Sequence, residues 1–256
     1  MIFLKISADG PSQPRTCVDV WQAVAATQEG HTTEDWFVTQ PDHARLSGQM
    51  AAALRDEAFT RIPADIVEAI GFHDEGWSVY DGTADMPRPP ATDGAGRALS
   101  FFHHAPSTFL RAWEGSIAEA ARISPLASLV VGMHFLVLGR RRQKMLPDEP
   151  EAPLMEAFIA GESRRQKRVG VDRALVDDLL RALQFCDVLS LLVCSGSEAA
   201  VEFPFEFRGA KLQAQRENNT IVFDRTPFQR TLRVEVPYVS YGANGLVRRV
   251  DVVEIR

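Results

Sequence analysis

The sequence of 256 residues has three cysteines, no long apolar run and no excess of basic residues. The cysteines form an odd set, and Cys186 and Cys194 lie in an apolar stretch, which favours reduced core thiols over a disulfide scaffold. The longest apolar run, Leu129–Leu138, is interrupted by a histidine and is too short for a bilayer, which needs about 20 residues. The first residues also lack the apolar stretch of a signal peptide. We therefore expect a cytoplasmic protein without membrane association.

Charge and motif content exclude several functions. The net charge of −6, from 34 acidic and 28 basic residues, gives no general affinity for polyanions and argues against nucleic acid as a partner. The chain contains no P-loop, no G-x-G-x-x-G and no G-x-S-x-G, so nucleotide-cofactor folds and serine hydrolases lose their usual support. With 45% hydrophobic residues the chain has ample material for a core, and its length fits one large domain plus a small appendage.

The hydrophobic periodicity changes once along the chain. Helical patterns dominate up to about Cys194, with a proline- and glycine-rich loop at residues 81–96, and alternation of period two follows Gly196. We expect an α+β protein with a mainly helical core and a C-terminal antiparallel β-sheet of four or five strands. The predicted parts are an N-terminal extension with one helix (1–30), a helical domain (31–196) and a β region (197–256).

Ionisable residues interrupt four apolar helix patterns. They are His43 at a helix start, the pair His73 and Asp74 at a helix end, His134 in an apolar helix, and Asp187 among leucines and phenylalanine. A buried charge is costly unless it is paired, hydrogen-bonded or bound to a metal. Each residue alone also fits a hydrogen-bonded core residue or a helix cap. Together, imidazole and carboxylate groups favour a divalent metal site, with iron, manganese, zinc or magnesium as the candidate ions.

The order of these residues resembles the HD-domain superfamily of helical metal-dependent phosphohydrolases. Carried over, the resemblance implies that His43, His73, Asp74 and Asp187 bind the metal. The segments Thr39–Gly48, His73–Trp77 and Leu183–Leu191, which contain QPDHA, HDEGW and FCDVLSL, are similar to a bacterial family catalogued only as a domain of unknown function. That family is HD-like in its helical part, so the resemblance implies an HD-like fold for the core.

Two further histidines between the HD pair and the last aspartate would suit a second metal. His103 or His104, together with His134, falls in this interval, and the order then resembles dinuclear HD phosphodiesterases and HD-type diiron oxygenases of small hydroxylated substrates. His103 and His104 also fit an exposed loop end, and His134 also fits a core residue. His31, in a polar stretch, is expected at the surface.

The resemblance implies a metal-dependent hydrolase that acts on a phosphoester. Asp74 would serve as ligand and base, Glu75 could reach the bound water or remain an exposed helix-end carboxylate, and Arg45 is the basic residue nearest a proposed ligand. Arg140–Lys144 could bind phosphate or form a solvated face. The partner is then a small, phosphorylated molecule, and the sequence leaves homo-oligomer formation open.

A third class of function remains open beside the hydrolase and the diiron oxygenase. A non-catalytic protein could bind a metal, or it could bind a partner through a phenylalanine-rich sheet. The phenylalanines concerned are Phe203, Phe205, Phe207, Phe223 and Phe228.

Overall fold

The structure is a computed structural model that describes residues 1–5, 17–55, 57–59, 61–83, 85–168 and 172–256. Residues 6–16 of the predicted N-terminal extension lie outside these ranges. The described helices lie between Val20 and Ser195, and three very short strands lie among the first forty residues. The helices are α1 (Val20–Ala25), α2 (Gln40–Ala51), α3 (Ala64–Gly71), α4 (Ser78–Asp81), α5 (Pro106–Ile123), α6 (Pro125–Met145), α7 (Ala152–Arg168) and α8 (Arg173–Ser195).

Helix boundaries follow local sequence signals. Thr39 caps α2 by accepting a hydrogen bond from the backbone N–H of Asp42, and Pro41 occupies the first turn, where its missing N–H costs nothing. Ser124 caps α6 in the same way, and Gly196 ends α8 in the left-handed conformation. These signals explain why α2 and α6 begin, and α8 ends, at these residues.

One mixed sheet of eight strands runs through the molecule in the order β1-β3-β7-β8-β6-β5-β4-β2. Most neighbours are antiparallel, but β2 pairs with β4 and β6 pairs with β8 in parallel. The strands are β1 (Ile2–Phe3), β2 (Val18–Asp19), β3 (Phe37–Val38), β4 (Val201–Phe207), β5 (Ala210–Glu217), β6 (Thr220–Phe223), β7 (Leu232–Gly242) and β8 (Gly245–Ile255).

The prediction of a mainly helical core with a C-terminal antiparallel sheet is wrong. The protein is α+β with 48% helix, and its large mixed sheet includes β1, β2 and β3 from the first forty residues. Each of these strands has two residues, too few to show an alternating pattern, and each pairs with a strand distant in sequence. Only their partners make them strands, so periodicity could not find them.

Helix α8 lies between the sheet and helices α2, α3 and α6. Its Phe185 packs against the buried phenylalanines of the sheet at ring-centroid distances of 5.4 Å for Phe203 and 6.2 Å for Phe228. The phenylalanines proposed as a binding surface are therefore core residues. Because Phe185 and Asp187 are two residues apart on a helix, they point to different sides, and Asp187 faces the neighbouring helices.

Two glycines allow α2 and α3 to approach closely. A Cβ atom on Gly48 would lie 2.8 Å from the Cα atom of Gly71, closer than side-chain carbons normally come to backbone. Only glycine at position 48 permits this crossing, whereas a Cβ atom on Gly71 would lie 3.8 Å from the Cα atom of Gly48, an ordinary contact. The contact matters for the site because α2 carries His43, and α3 leads directly into His73 and Asp74.

The loop, the position of His31 and the state of the cysteines were also predicted from the sequence. No helix or strand is assigned to the described residues between Gly82 and Ser100, as expected for the loop. His31 is buried and stacks on Phe3 at 4.4 Å, so its predicted surface position is wrong. Cys186 and Cys194 are buried free thiols. Among the described residues, no helix combines the length and the apolar character that a bilayer crossing requires.

Candidate metal centre

Five ionisable side chains from separate parts of the chain meet in the interior. His43 comes from the first turn of α2, His73 and Asp74 follow the end of α3, His134 comes from the middle of α6, and Asp187 comes from α8. All five are buried, with His43 and His73 fully inaccessible to solvent. The polar residues that interrupt apolar patterns in the sequence therefore form a single cluster.

His73 has the geometry of a metal ligand. Its Nδ1 atom lies 2.8 Å from the carbonyl oxygen of Ile70, and since a carbonyl can only accept, Nδ1 carries the proton and donates. The Nε2 atom points into the cluster, 3.5 Å from Oδ1 of Asp187 and 3.7 Å from Oδ2 of Asp74. Nε2 is a buried atom without a hydrogen-bond partner among the described residues. A carbonyl that fixes one imidazole nitrogen while the other faces carboxylates is typical of metal-binding histidines.

His43 is oriented by serines. Its Nδ1 lies 2.8 Å from Oγ of Ser190, and that hydroxyl lies 2.7 Å from the carbonyl oxygen of Asp187, to which it donates. The Ser47 hydroxyl adds a hydrogen bond to Ser190 at 2.9 Å. With Ser190 donating to the carbonyl, Nδ1 of His43 donates to Ser190, and Nε2 faces Oδ2 of Asp74 at 2.9 Å.

The charges in the cluster are strongly coupled. Burial alone would lower the pKa of His73, but the carboxylates of Asp74 and Asp187 and the bond to Ile70 raise this pKa to about 9. Burial would raise the pKa of Asp187, but the close contact with His73 at 3.5 Å and the charges of the nearby histidines lower it. Without a metal, His73 thus carries a second proton, and the positive charge of its ring compensates the negative charge of the buried carboxylates. A divalent cation would take the place of that proton, because ligating imidazole must be neutral.

His134 is the fifth member and differs from the others. Burial lowers its pKa to about 4, so the imidazole is neutral at neutral pH. Its Nε2 lies 3.8 Å from Oδ2 of Asp187, and its Nδ1 has no hydrogen-bond partner in the described part of the chain. Nδ1 of His134 is therefore a buried nitrogen without a hydrogen-bond partner in that part of the chain.

The residues present fit a divalent ion. One ligand atom each from His43, His73 and Asp187 lies within 4.8 Å of the other two. Two imidazoles and one carboxylate suit zinc, iron or manganese. Three protein ligands leave further coordination positions open, as in catalytic rather than structural metal sites. A buried His43–His73–Asp187 group that could hold a metal ion is thus present, and Asp74, the fourth residue of the predicted ligand set, is not a member of that group.

A cavity of about 420 Å³ connects the cluster with the surface. His134 and Asp187 lie at its inner end, and its walls combine apolar side chains with two arginines, Arg141 and Arg181. A smaller cavity of about 40 Å³ touches Asp74 as well as His134 and Asp187, and Trp21 lines both cavities. The cluster is therefore buried but within reach of a small molecule.

The basic residues of α6 and α7 have different roles. Arg142 forms a two-pronged ion pair with Glu149, and Arg165 binds Glu162 and the carbonyl of Ser128, so these two arginines join helices and loops. Arg141 forms no ion pair within the described ranges, and its guanidinium stacks over the Trp21 ring at 4.7 Å. Of the basic run 140–144, Arg141 is thus the residue that the fold presents to the cavity.

The structure does not bring the other two candidate histidines to the cluster. His103 contacts Ser100 through Nδ1 and Glu29 through Nε2 at 3.2 Å. His104 packs against the Trp77 ring at 5.5 Å, and burial lowers its pKa to about 4. Of the two middle histidines that a dinuclear site would need, the cluster contains only His134.

Arg45 and Glu75 lie together on the outside of the cluster. The Arg45 guanidinium donates to Glu75 at 3.3 Å and to Asp42 at 3.3 Å, and its side chain is 40% exposed. Burial raises the pKa of Glu75, while Arg45 opposes this shift. Glu75 borders a surface groove with Phe72, so the carboxylate that follows Asp74 in sequence faces away from the cavity.

Sequence reasoning missed several residues that shape the site. Ser190 lies in the FCDVLSL motif and orients His43, but serine in a helix is common and carries no signal by itself. Trp21 and Arg181 line the cavity, and only the tertiary fold brings α1 and the first half of α8 to that wall. Gln40, next to Pro41, lines the small cavity with an unpartnered side-chain nitrogen among the described residues.

Fold and site together define an α+β protein with a buried histidine–aspartate cluster suited to a metal ion. Residues 28–240 match the model of the family described as "Protein of unknown function (DUF3891)", so the chain belongs to that family. The predicted membership of an uncharacterised family is thereby confirmed. No curated protein and no solved structure matches the chain.

Proposed function

We propose that this protein is a metal-dependent hydrolase that acts on a phosphoester. The observation that carries the proposal is the unpartnered Nε2 of His73, which points with His43 toward Asp187 at the inner end of a cavity that contains two arginines. The order of the cluster along the chain, histidine, His–Asp, histidine and aspartate, is similar to that of HD-domain proteins and supports both the HD relationship and the hydrolytic reaction.

A divalent metal at this site would lower the pKa of a bound water and neutralise phosphate charge. The residues of the chain supply the rest. His43 and His73 bind through Nε2, and Asp187 binds through a carboxylate oxygen. Asp74, whose Oδ2 lies 2.9 Å from His43 and 3.7 Å from His73, is placed to accept the proton of the attacking water. His134 offers a neutral imidazole to the substrate at the inner end of the cavity.

Charge in the cavity favours an anionic substrate. Asp187 alone would repel a phosphate, but a divalent ion offsets its carboxylate, and Arg141 and Arg181 add two positive charges to the wall. Arginine binds phosphate through paired N–H donors and suits this role better than a point charge. An acidic protein that places two arginines around one cavity thereby creates a local site for an anion.

Hydrolysis by the metal-loaded protein tests the proposal. The protein, purified without chelator and supplemented with manganese, zinc, iron or magnesium, is assayed with a generic phosphomonoester and a phosphodiester. We expect turnover that Asp74→Asn lowers at least about 100-fold, the usual contribution of a positioned base. The matched control is Glu75→Gln, the neighbouring carboxylate bound to Arg45, which should retain turnover within a few-fold. Equal loss in both variants, or no turnover of either ester by protein that carries metal, contradicts the proposal.

A second candidate is an iron oxygenase of a small hydroxylated substrate. One observation favours it: two histidines and one carboxylate form the donor set of mononuclear non-haem iron enzymes. A diiron version needs a second set of ligands, for which the cluster supplies only Asp74 and His134. Metal analysis distinguishes the candidates, since selective iron loading with oxygen consumption supports the oxygenase. A protein that binds no metal would instead be a non-catalytic member of its family.

A further inference from the structure

The cavity is lined by more side chains that could bind a ligand than a single phosphate can contact. His134 and Asp187 form its inner end, Arg141 and Arg181 lie on its wall, and Leu138 is one of the apolar residues between them. Arg141 follows His134 by seven residues on α6, and Arg181 precedes Asp187 by six on α8. At 1.5 Å per helical residue, the backbone of Arg141 is about 10 Å from that of His134, and the backbone of Arg181 is about 10 Å from that of Asp187.

Among the described residues, neither guanidinium forms an ion pair with a carboxylate of the metal cluster. Arg141 is held over the Trp21 ring and makes no ion pair within the described ranges, so it is not drawn toward Asp74 or Asp187. Among the described residues, Arg181 has one long ion pair, 3.9 Å to Asp178, and its side chain is 49% exposed. Both arginines therefore keep donors for a ligand, and the stacking on Trp21 leaves the N–H edge of Arg141 open.

We propose that the cavity binds an elongated substrate with two anionic ends. One end is the phosphoester that reacts at the cluster, and the other is a second phosphate held by Arg141 and Arg181. The middle of the substrate is apolar, because Leu138 lies between His134 and Arg141 on α6 and lines the cavity together with Val188 and Phe205. This inference rests on the proposed hydrolytic function and adds a substrate class to it.

Alkyl phosphates of matched length test this inference. Hexyl phosphate and hexanediol bisphosphate share one reacting end and one chain, and they differ only in the second phosphate. Binding of both to the metal-loaded protein is measured by titration calorimetry. We expect the bisphosphate to bind at least about tenfold more tightly, which corresponds to about 1.4 kcal/mol. Ethanediol bisphosphate, too short to reach from the cluster to the arginines, should show no such advantage over ethyl phosphate.

Variants locate the second phosphate. In the double variant Arg141→Gln and Arg181→Gln, the preference for hexanediol bisphosphate over hexyl phosphate should fall to about onefold, because a neutral amide cannot replace the charge-assisted bonds. Arg140→Gln is the matched control, since Arg140 is adjacent on α6 but bonds to Ser163 instead of facing the cavity. This control should keep the full preference. Thermal unfolding of each variant verifies that it is folded.

The outcomes separate the inference from the proposed function. Hydrolysis of hexyl phosphate by wild-type protein that shows no preference for the bisphosphate overturns the inference and leaves the hydrolase proposal intact. A preference that persists in the double variant also overturns it, since the second phosphate then binds elsewhere. Absence of both bound metal and hydrolysis overturns the hydrolase proposal, and the substrate class fails with it.

Discussion

His73 and Asp187 face each other across the interior, with Nε2 of the histidine 3.5 Å from Oδ1 of the aspartate. Both side chains are buried, with exposed fractions of 0% for His73 and 6% for Asp187. The donated bond from Nδ1 to Ile70 fixes the histidine ring, so its inward nitrogen can meet either a proton or a metal ion. This contact joins the residue that follows α3 to α8, and both of its residues belong to the candidate metal centre.

Removal of the Ser190 hydroxyl should weaken metal binding without unfolding the protein. The hydroxyl holds Nδ1 of His43 at 2.8 Å, and loss of such a supporting bond typically costs about 10–100-fold in metal affinity. Chelator competition measures the effect in Ser190→Ala. Ser195→Ala is the control on the same helix, because the buried Ser195 hydroxyl bonds only to the Leu192 carbonyl among the described residues. Equal affinities in the two variants would show that Ser190 does not position His43.

A methyl group on Gly48 should disturb the crossing of α2 and α3. It would lie 2.8 Å from the Cα of Gly71, so the helices must move apart, at a cost of about 1–3 kcal/mol. Urea denaturation of Gly48→Ala measures this loss. Gly161→Ala makes the same change on α7, where the new Cβ meets no atom within 4 Å, and should be neutral or stabilise by up to about 1 kcal/mol. Similar stability of the two variants would contradict the close approach.

Two adjacent arginines should behave differently. Arg142→Gln removes one partner of a largely buried ion pair with Glu149, whose side-chain exposures are 13% and 8%, and we expect a loss of about 3 kcal/mol. Arg141→Gln removes a side chain that stacks on Trp21 but has no ion pair in the described chain, so the change in stability should stay within about 0.5 kcal/mol. Thermal and urea unfolding of both variants tests this. A large loss for Arg141→Gln would assign that residue to the framework and remove it from the substrate site.

His104 should make the fold sensitive to mild acid. Burial lowers its pKa from the ordinary 6.5 to about 4, so the folded state favours the neutral ring. The unfolded chain takes up a proton at higher pH than the folded protein does. The stability that His104 contributes is therefore complete above pH 6.5 and is lost as the pH falls toward 4. In His104→Asn the decline in unfolding free energy between these values should be shallower than in wild type. An equal decline of the unfolding free energy with pH in the two proteins would contradict the lowered pKa of His104.

The ligand residues could be predicted because they violate the pattern around them. His134 and Asp187 interrupt apolar helix faces, and the cost of burying a charge predicts that such residues meet a partner. Helices α6 and α8 could also be predicted from their apolar residues, although α6 continues beyond its apolar part, which ends at Leu138, to Met145. Composition and periodicity were thus sufficient for the helices and for most of the cluster.

The large sheet and the substrate cavity could not be predicted from composition and periodicity. Strands β1, β2 and β3 have two residues each, and their hydrogen bonds depend on partners far away in sequence, such as Val18 with Val201. The cavity depends on Trp21 and Arg181, which have ordinary surface neighbours in the sequence and acquire their role only when α1 packs beside α6 and α8. Tertiary packing decides both features.

Titration of a divalent metal into chelator-treated protein tests the central claim most directly. Wild type and His103→Asn, whose histidine lies outside the cluster, should each bind one ion per chain. Asp187→Asn should bind at least about 100-fold more weakly, because the variant loses a ligand and not only a supporting bond. If Asp187→Asn, folded as wild type by circular dichroism, binds the same number of ions with the same affinity, the cluster of His43, His73 and Asp187 is not the metal centre.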